Sequence, residues 1–242
     1  MRAIILAAGR GSRMGKLTEE RPKCLVNFNG KTLLSRLFEV LNTSGIDKIA
    51  VVTGYKRELV SNVGIKEFHN KKWNETNMVS SLVCADDWLA SEPCIVSYSD
   101  IFYDASAIKS LINSNSKLAI TYDPKWRELW DQRFDDPLTD AETFKLNDDQ
   151  CITDIGGKAT SVQEIEGQYM GLLRFTPDSW KELLSVRKNL NKYERASLDM
   201  TSCLRKIVEA GSMPIKAIAY YGKWGEIDSI EDLKVYQSNL YP

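Results

Sequence analysis

Basic residues are not in excess in this sequence. Lys and Arg number 32 and Asp and Glu number 33 in 242 residues, so the net charge is −1. A protein that binds long nucleic acids usually has a basic excess, so no nucleic-acid partner is expected. Histidine occurs once, at His69, which disfavours a histidine general base. No apolar run approaches the length of a membrane span, so no membrane partner is expected either.

Closely spaced cysteines are also missing. The cysteines are odd in number and scattered along the chain: Cys24, Cys84, Cys94, Cys151 and Cys203. This spacing argues against a disulfide framework and against a zinc site. The apolar stretch near residue 4 is too short for a signal sequence with a cleavage site. The sequence therefore predicts a cytosolic (cytoplasmic) protein in a reducing compartment.

Apolar residues follow the order β-α-β-α-β through the first part of the chain. Residues 2 to 8 are apolar without alternation, as strands buried on both faces are. Leucines recur at helical intervals over residues 31 to 43, and residues 78 to 89 predict one further helix. This order predicts an α/β fold with a doubly wound, mostly parallel, Rossmann-like mixed sheet. The polar and aromatic stretch at about 123–170 predicts a small lid inserted in a single domain of residues 1–242.

The first predicted strand ends in a loop that is both glycine-rich and cationic, L-A-A-G-R-G-S-R-M-G-K. It is not a P-loop, because five residues separate Gly9 from Gly15 and Leu17 follows Lys16. It is not the dinucleotide fingerprint, because Met14 stands where the third glycine belongs. Two interpretations remain: a tight turn whose basic residues face solvent, or a loop that binds an anion.

A longer pattern favours anion binding. Gly9, Gly11, Arg13 and the pair Pro22-Lys23 follow the strand in an arrangement that resembles the signature of nucleotidyltransferases acting on sugar phosphates and small-alcohol phosphates. Small residues let backbone N–H groups approach phosphate oxygens, and Arg and Lys side chains neutralise a triphosphate. The resemblance implies nucleotide binding by Leu6, Ala7, Ala8, Gly9, Gly11, Ser12, Arg13, Lys23, Thr53, Asn77 and Ser81.

Two acidic segments predict a metal site. Asp100 directly follows a core strand, at the end of a strand where open α/β sheets bind ligands. Glu226 and Asp228 point the same way if their segment is extended. The resemblance implies that Asp100 and Asp228 hold Mg²⁺, with Glu226 as a neighbour that shares the ion. The alternative for Asp100 is a helix N-cap.

The implied chemistry needs no protein nucleophile. An oxygen of the acceptor's phosphate attacks the α-phosphorus of the nucleotide and pyrophosphate leaves, so catalysis consists of positioning and charge neutralisation. The resemblance implies catalytic roles for Arg13, Lys23 and Lys158, of which Lys158 would contact the attacking phosphate. The alternative for Lys158 is a solvated surface lysine.

The segment T-N-M-V-S-S-L after the third strand narrows the resemblance. It is similar to the start of a helix in the small cytidylyltransferases that activate phosphocholine or aminoalkylphosphonates, which implies CTP as the nucleotide. Asn77 also fits a helix cap. The resemblance and the aromatic composition together give candidate acceptor-binding residues: Tyr122, Trp126, Trp130, Arg133, Glu166 and Gly167.

The acceptor itself stays open between several chemistries. Trp126 and Trp130, four residues apart on one helical face, suit a cation–π site for a quaternary ammonium. They equally suit the core beneath a lid. Arg127 and Arg133 favour an acceptor with its own carboxylate, such as a phosphorylated amino acid.

The sequence thus predicts an Mg²⁺-dependent cytidylyltransferase that transfers CMP from CTP to a small phosphate or phosphonate: phosphocholine, an aminoalkylphosphonate, or a phosphorylated amino acid or amide. One alternative is a sugar-1-phosphate nucleotidyltransferase that uses UTP, dTTP or GTP. A second is a nucleotide-sensing subunit without catalytic activity. Homodimerisation is compatible with all three.

Overall fold

Strands and helices alternate along residues 1–61 and 65–238, which the computed structural model describes. The strands are β1 (Arg2–Ala7), β2 (Asn27–Phe28), β3 (Lys31–Thr32), β4 (Ile49–Thr53), β5 (Lys66–His69), β6 (Cys94–Tyr98), β7 (Ile101–Tyr103), β8 (Leu118–Asp123), β9 (Glu142–Leu146), β10 (Ile152–Lys158), β11 (Gln168–Phe175), β12 (Ile215–Ala219) and β13 (Trp224–Glu226). The α-helices are α1 (Leu33–Thr43), α2 (Glu58–Ser61), α3 (Met78–Val83), α4 (Asp86–Leu89), α5 (Ala105–Ile112), α6 (Trp126–Arg133), α7 (Pro177–Lys188), α8 (Lys192–Ser197), α9 (Met200–Ala210) and α10 (Ile230–Ser238).

Seven strands form the main sheet in the order β12-β8-β11-β6-β1-β4-β5. Strand β11 runs antiparallel to both of its neighbours, and the other adjacent pairs are parallel. The carboxyl ends of β1, β4, β6 and β8 therefore lie at one edge of the sheet, together with the start of β11. The predicted fold class, a mostly parallel mixed sheet, is confirmed.

Helices cover both faces of the sheet, as the unalternating apolar strands predicted. In β1, Ala3, Ile5 and Ala7 pack in the same apolar core as α1 and α5, while Ile4 and Leu6 pack on the opposite face with α3, α7 and α9. Successive side chains of a strand point to opposite faces, so a strand with a core on each side has to be apolar throughout.

Within the described ranges, three two-stranded sheets lie beside the main one. The pair β7 and β13 is antiparallel and joins the segment after Asp100 to the segment before Asp228. The antiparallel hairpin of β9 and β10 packs on α9 and belongs to the stretch at about 123–170. That this stretch is a small lid inserted in a single domain stays a prediction.

The helix predicted over residues 78 to 89 is two helices. Helix α3 ends at Val83, and Ala85 has φ −100° and ψ 22°, outside the helical range, before α4 begins. The sequence also predicts a short helix over residues 56 to 63 and a closing helix over residues 230 to 240. Their described parts are α2 and α10, and positions 62–64 and 239–242 lie outside the described residues. Among the described residues, no helix combines the length and apolar character needed to cross a membrane.

Candidate active site

The loop after β1 is fixed by its own buried residues. Gly11 has φ 73°, which favours glycine, and a Cβ there would lie 2.8 Å from Cβ of Lys23. The carbonyl of Gly11 accepts hydrogen bonds from the Met14 backbone N–H at 3.0 Å and from Thr18 Oγ1 at 2.9 Å. Met14 and Thr18 are fully buried. These contacts anchor the loop while leaving Ser12 and Arg13 exposed at the mouth of a cavity.

This first cavity, of about 290 Å³, lies at the carboxyl edge of the sheet. It contains most of the nucleotide-binding residues that the sequence predicted, and both predicted metal aspartates: Leu6, Ala8, Gly9, Gly11, Ser12, Arg13, Lys23, Asn77, Ser81, Asp100 and Asp228. Residues from distant parts of the chain, between Leu6 and Asp228, therefore line one cavity.

Lys23 is buried beneath this cavity, between two carboxylates. Its Nζ donates to Asp100 Oδ2 at 2.8 Å and makes a shorter contact with Asp228 Oδ1. Arg13 Nη2 lies 2.8 Å from Asp228 Oδ2, although most of the Arg13 side chain is exposed. Burial would lower the pKa of Lys23, but Asp100, Asp228 and Glu226 together raise it above its usual range. Lys23 is therefore a permanent cation at this point.

The pairing of β7 with β13 brings the three acids together. Glu226 pairs with Ile101, directly after Asp100, and the Ile227 backbone N–H donates to the Asp100 carbonyl at 2.8 Å. One ligand atom from each of Asp100, Glu226 and Asp228 lies within 4.8 Å of the others. Burial, with the charges of Asp228 and Asp100, raises the pKa of Glu226 to about 8.

This cluster fits a divalent cation. Carboxylate oxygens are the ligands that Mg²⁺ takes from proteins, usually one or two of them together with phosphate oxygens. Asp100 Oδ1 is buried and has no hydrogen-bond partner in the described part of the chain. A buried carboxylate oxygen without a donor is costly, and a bound cation would remove that cost.

A second cavity, of about 250 Å³, opens beside the first. Arg13, Met78, Tyr98 and Asp228 line both of them. One wall of it is acidic and comes from two segments of the chain, with Asp140 and Glu142 in one and Asp199 in the other.

All three acids of that wall accept hydrogen bonds from the protein. Asp199 caps α9, with Oδ1 accepting from the Ser202 backbone N–H at 2.7 Å and Oδ2 from Ser202 Oγ at 3.0 Å. Asp140 Oδ2 accepts from Trp130 Nε1 at 3.1 Å, and Glu142 Oε1 accepts from Thr201 at 3.2 Å. Burial raises the pKa of both carboxyls. Such a wall attracts a cationic group.

Two predicted nucleotide-binding residues lie outside the first cavity. Ala7 is part of the core, and the Thr53 hydroxyl donates to Glu67, whose other contacts are with Arg57. Asn77 does cap α3, accepting from the Met78 backbone N–H at 2.8 Å, and it lines the cavity as well.

The predicted acceptor residues are not brought together as a group. Trp130 lines the second cavity, but Trp126 is buried in the core, with the two ring centroids 6.1 Å apart. Both tryptophans belong to the same buried cluster, and an acceptor-binding role for either of them stays a prediction. Lys158 is exposed on β10 and lines a shallow depression that shares Asp140 and Glu142 with the second cavity.

The remaining acceptor candidates do not line the second cavity. Tyr122 stacks on Phe144, and a Cβ at Gly167 would lie 2.4 Å from the Tyr122 ring. Glu166 accepts from the Leu146 backbone N–H at 2.9 Å. Arg133 is buried against other carboxylates and is absent from the second cavity's lining.

Sequence reasoning missed several residues that line the cavities. Asp140, Glu142 and Asp199 belong to no motif, and they meet only because the β9–β10 hairpin packs on α9. Tyr98 could have been found, since it stands two residues before Asp100 in the same strand-end segment. Trp73 also lines the first cavity and precedes Asn77 by four positions.

Comparison with known proteins settles the family. The sequence model of the MobA-like NTP transferase domain matches residues 3–188, well over half of the chain. The chain belongs to this family.

Relatives in the NTP transferase family include cytidylyltransferases. A CTP:phosphoglutamine cytidylyltransferase of Campylobacter jejuni is 38% identical over 251 residues, and the alignment covers 97% of this chain and 98% of that protein. A choline-phosphate cytidylyltransferase of Streptococcus pneumoniae is 38% identical over 95 residues, covering 38% of this chain and 42% of that protein. The predicted resemblance to phosphocholine and phosphonate cytidylyltransferases is confirmed.

Solved structures of the NTP transferase fold superpose along almost the whole chain. The inositol-1-phosphate CTP transferase of T. maritima matches with a TM-score of 0.76 and 23% identity, covering 98% of this chain and 93% of that one. The CTP:phosphocholine cytidylyltransferase of Streptococcus pneumoniae matches with a TM-score of 0.73 and 21% identity, covering 99% of both chains. These two structures show the fold. The family model and the cytidylyltransferase relatives show that the chain is an enzyme, a nucleotidyltransferase, as the sequence predicted.

Proposed function

We propose that this chain transfers CMP from CTP to a small phosphorylated acceptor that carries an ammonium group, with phosphoglutamine as the first candidate. The observation that carries the proposal is the convergence of Lys23, Arg13 and three carboxylates on the boundary between two cavities. A reaction between two phosphates needs positive charge at the point where they meet. The relative from Campylobacter jejuni, aligned along nearly the full length, supports CTP and phosphoglutamine.

The first cavity is the proposed nucleotide site. Backbone groups of Gly9 and Gly11 border the space for the triphosphate, and Arg13 extends over it. Asn77 and Ser81 form the opposite side, where the base and ribose would lie. The remaining predicted nucleotide ligands, Ala7 and Thr53, would not contact the nucleotide. They would support the strands that carry residues of the cavity wall.

Asp100 and Asp228, with Glu226 beside them, would hold Mg²⁺. Bound there, the ion would neutralise phosphate charge and polarise the phosphate that is attacked. Lys23 contacts both aspartates and stays charged, so it can move its donors between carboxylate and phosphate oxygens as substrate binds.

The reaction is a displacement at the α-phosphorus of CTP. An oxygen of the acceptor's phosphate forms the new bond to phosphorus, the bond from that phosphorus to the bridging oxygen of the β-phosphate breaks, and pyrophosphate leaves with the electron pair. The charges of Arg13 and Lys23 stabilise the negative charge that develops, and binding both substrates in adjoining cavities supplies orientation.

The acidic wall of the second cavity supports an amine-bearing acceptor. Asp140, Glu142 and Asp199 would attract an ammonium group at the end away from the phosphate. Phosphoglutamine, 2-aminoethylphosphonate and phosphocholine all carry a cationic nitrogen, whereas glucose 1-phosphate does not. Lys158, at the adjoining depression, stays a candidate for contact with the acceptor's phosphate.

A substrate matrix tests the proposal. CTP, UTP, dTTP and GTP are each combined with phosphoglutamine, phosphocholine, 2-aminoethylphosphonate and glucose 1-phosphate, with Mg²⁺ present, and pyrophosphate release is measured with product masses. We expect CTP with an amine-bearing acceptor to be fastest and Asp228→Asn to be inactive. Fastest turnover with UTP or dTTP and glucose 1-phosphate would establish the sugar-phosphate alternative. Nucleotide binding without pyrophosphate release from any pair would refute the proposed reaction.

Location and assembly stay proposals that rest on the sequence. We infer a cytosolic enzyme because its substrates are small phosphates and the cysteines are unpaired. Homodimerisation is kept as a prediction that light scattering coupled to gel filtration tests.

A further inference from the structure

A buried ion pair lies directly behind the carboxylate cluster. Arg133, at the end of α6, has a side chain that is only 1% exposed, and its Nε lies 2.8 Å from Asp232 Oδ1 on α10. Apolar residues of similar volume often replace such a pair without loss of stability. Stability alone therefore does not account for a pair of this kind, and its other contacts become informative.

Asp232 holds the backbone that carries Asp228. Its Oδ2 accepts from the backbone N–H groups of Asp228 and Ser229, both at 2.9 Å, and from Ser229 Oγ at 3.0 Å. The carboxylate thus caps α10 and fixes the peptide from which the Asp228 side chain extends.

Arg133 also faces the third acid of the cluster. Its Nη1 lies 3.6 Å from Glu226 Oε2 and, buried, has no hydrogen-bond partner within the described residues. Burial would lower the pKa of Arg133, but Asp232 and Glu226 raise it, so the guanidinium stays charged. The Arg133 guanidinium therefore lies beside Glu226, and it is linked to Asp228 by way of Asp232, which accepts from the Asp228 backbone N–H.

We propose that Arg133 and Asp232 are a positioning pair that sets the separation and orientation of Glu226 and Asp228 for the divalent cation. The proposal rests on the proposed function, in which these carboxylates hold the ion. Acids this close repel one another, and a rigid guanidinium fork fixes their geometry where a flexible ammonium does not. Groups behind metal ligands commonly change metal affinity by about 10–100-fold when they are replaced.

The pair also links the two halves of the site. Arg133 packs over the ring of Trp130, with its Cζ 5.3 Å from the ring centroid, and Trp130 donates to Asp140 in the acidic wall. The residue that the sequence proposed as an acceptor ligand is thus placed to act on the metal ligands instead.

The test compares Arg133→Lys and Asp232→Asn with wild type and with a matched control, Arg174→Lys. Arg174 is a partly buried arginine of β11 that donates to the Ser116 carbonyl at 2.6 Å, away from both cavities. Protein-bound Mn²⁺ is followed by water proton relaxation in the presence of a methylene analogue of CTP that cannot release pyrophosphate. Thermal unfolding and the separate values of kcat and of KM for CTP are measured on the same samples.

We expect Arg133→Lys and Asp232→Asn to weaken Mn²⁺ binding about 10–100-fold and to lower kcat, while Arg174→Lys changes Mn²⁺ binding less than twofold at a comparable loss of thermal stability. Variants that unfold at lower temperature yet bind Mn²⁺ like wild type would overturn the positioning role and leave the proposed function standing. A wild type that neither binds Mn²⁺ nor turns over CTP would overturn both.

Discussion

Replacing Lys23 with methionine tests the central electrostatic contact of the site. The ammonium lies 2.8 Å from Asp100 and also contacts Asp228, and its side chain is 8% exposed. Two unit charges at that distance attract each other by about 6 kcal/mol at an effective dielectric constant of 20. Removing one partner of a buried pair costs about 3–5 kcal/mol, because the remaining charge is left without compensation.

For a domain of this size, 1 kcal/mol changes Tm by about 2–4 °C, so Lys23→Met should lower Tm by about 6–20 °C in the absence of metal. Saturating Mg²⁺ should raise the Tm of the variant more than that of wild type, because the cation then supplies the charge that Lys23 supplied. Turnover should fall by about 10²–10³-fold, the usual effect of losing one preorganised charge.

The assay is thermal unfolding by circular dichroism with EDTA or with Mg²⁺, combined with pyrophosphate release. Lys16→Met is the control, since Lys16 is exposed in the same loop and a surface change there should shift stability by no more than about 0.5 kcal/mol. A Lys23→Met protein with wild-type Tm, or one with near-normal turnover, would refute the reasoning.

Four further predictions concern other parts of the site and the core. Asp100→Asn should lower turnover by about 10²–10³-fold and weaken Mn²⁺ binding; wild-type Mn²⁺ affinity would remove Asp100 from the metal site. Gly54→Ala should raise KM for CTP about tenfold, because the new Cβ would lie 2.5 Å from the carbonyl oxygen of Ala8, beside the nucleotide loop. An unchanged KM would show that the loop can shift without loss of CTP binding. In the native protein, at most two thiols should react with a disulfide reagent at neutral pH, because burial raises the pKa of the other three to about 12. Reaction of more than two thiols would contradict the core packing. The three buried thiols are Cys24, Cys94 and Cys203. Stability should accordingly fall as pH rises above about 9, where the unfolded chain loses thiol protons that the folded chain retains.

The linear order of residues was enough to predict the local parts of the site. The turn at Gly11, the cations Arg13 and Lys23, and an acid at the end of β6 all follow from short segments with their own strand, turn and charge patterns. The opening strand could be read as doubly buried because its apolar residues do not alternate. These features depend on neighbours in sequence, so one segment at a time suffices.

The residues that line the second cavity could not be predicted from single segments of the sequence. Whether Trp126 faced a ligand or the core depended on what packed against α6, and helical spacing is the same in both cases. The sequence could propose Arg133 as a ligand for an acceptor carboxylate, but its ion pair with Asp232 depends on how α10 packs against α6. The acidic wall needed residues near 140 and 199 to meet, which no local pattern encodes.

The sequence by itself determined the fold class and the local form of the loop after β1, because both are encoded in contiguous residues. That this loop binds a nucleotide and that Asp100, Glu226 and Asp228 hold a cation stay predictions. Only the tertiary structure decided which side chains line the same cavity and which are buried in the core. Contacts between segments far apart in the chain depend on how sheets and helices pack. That packing then decides whether a charged side chain faces a cavity or pairs with another charged side chain in the interior.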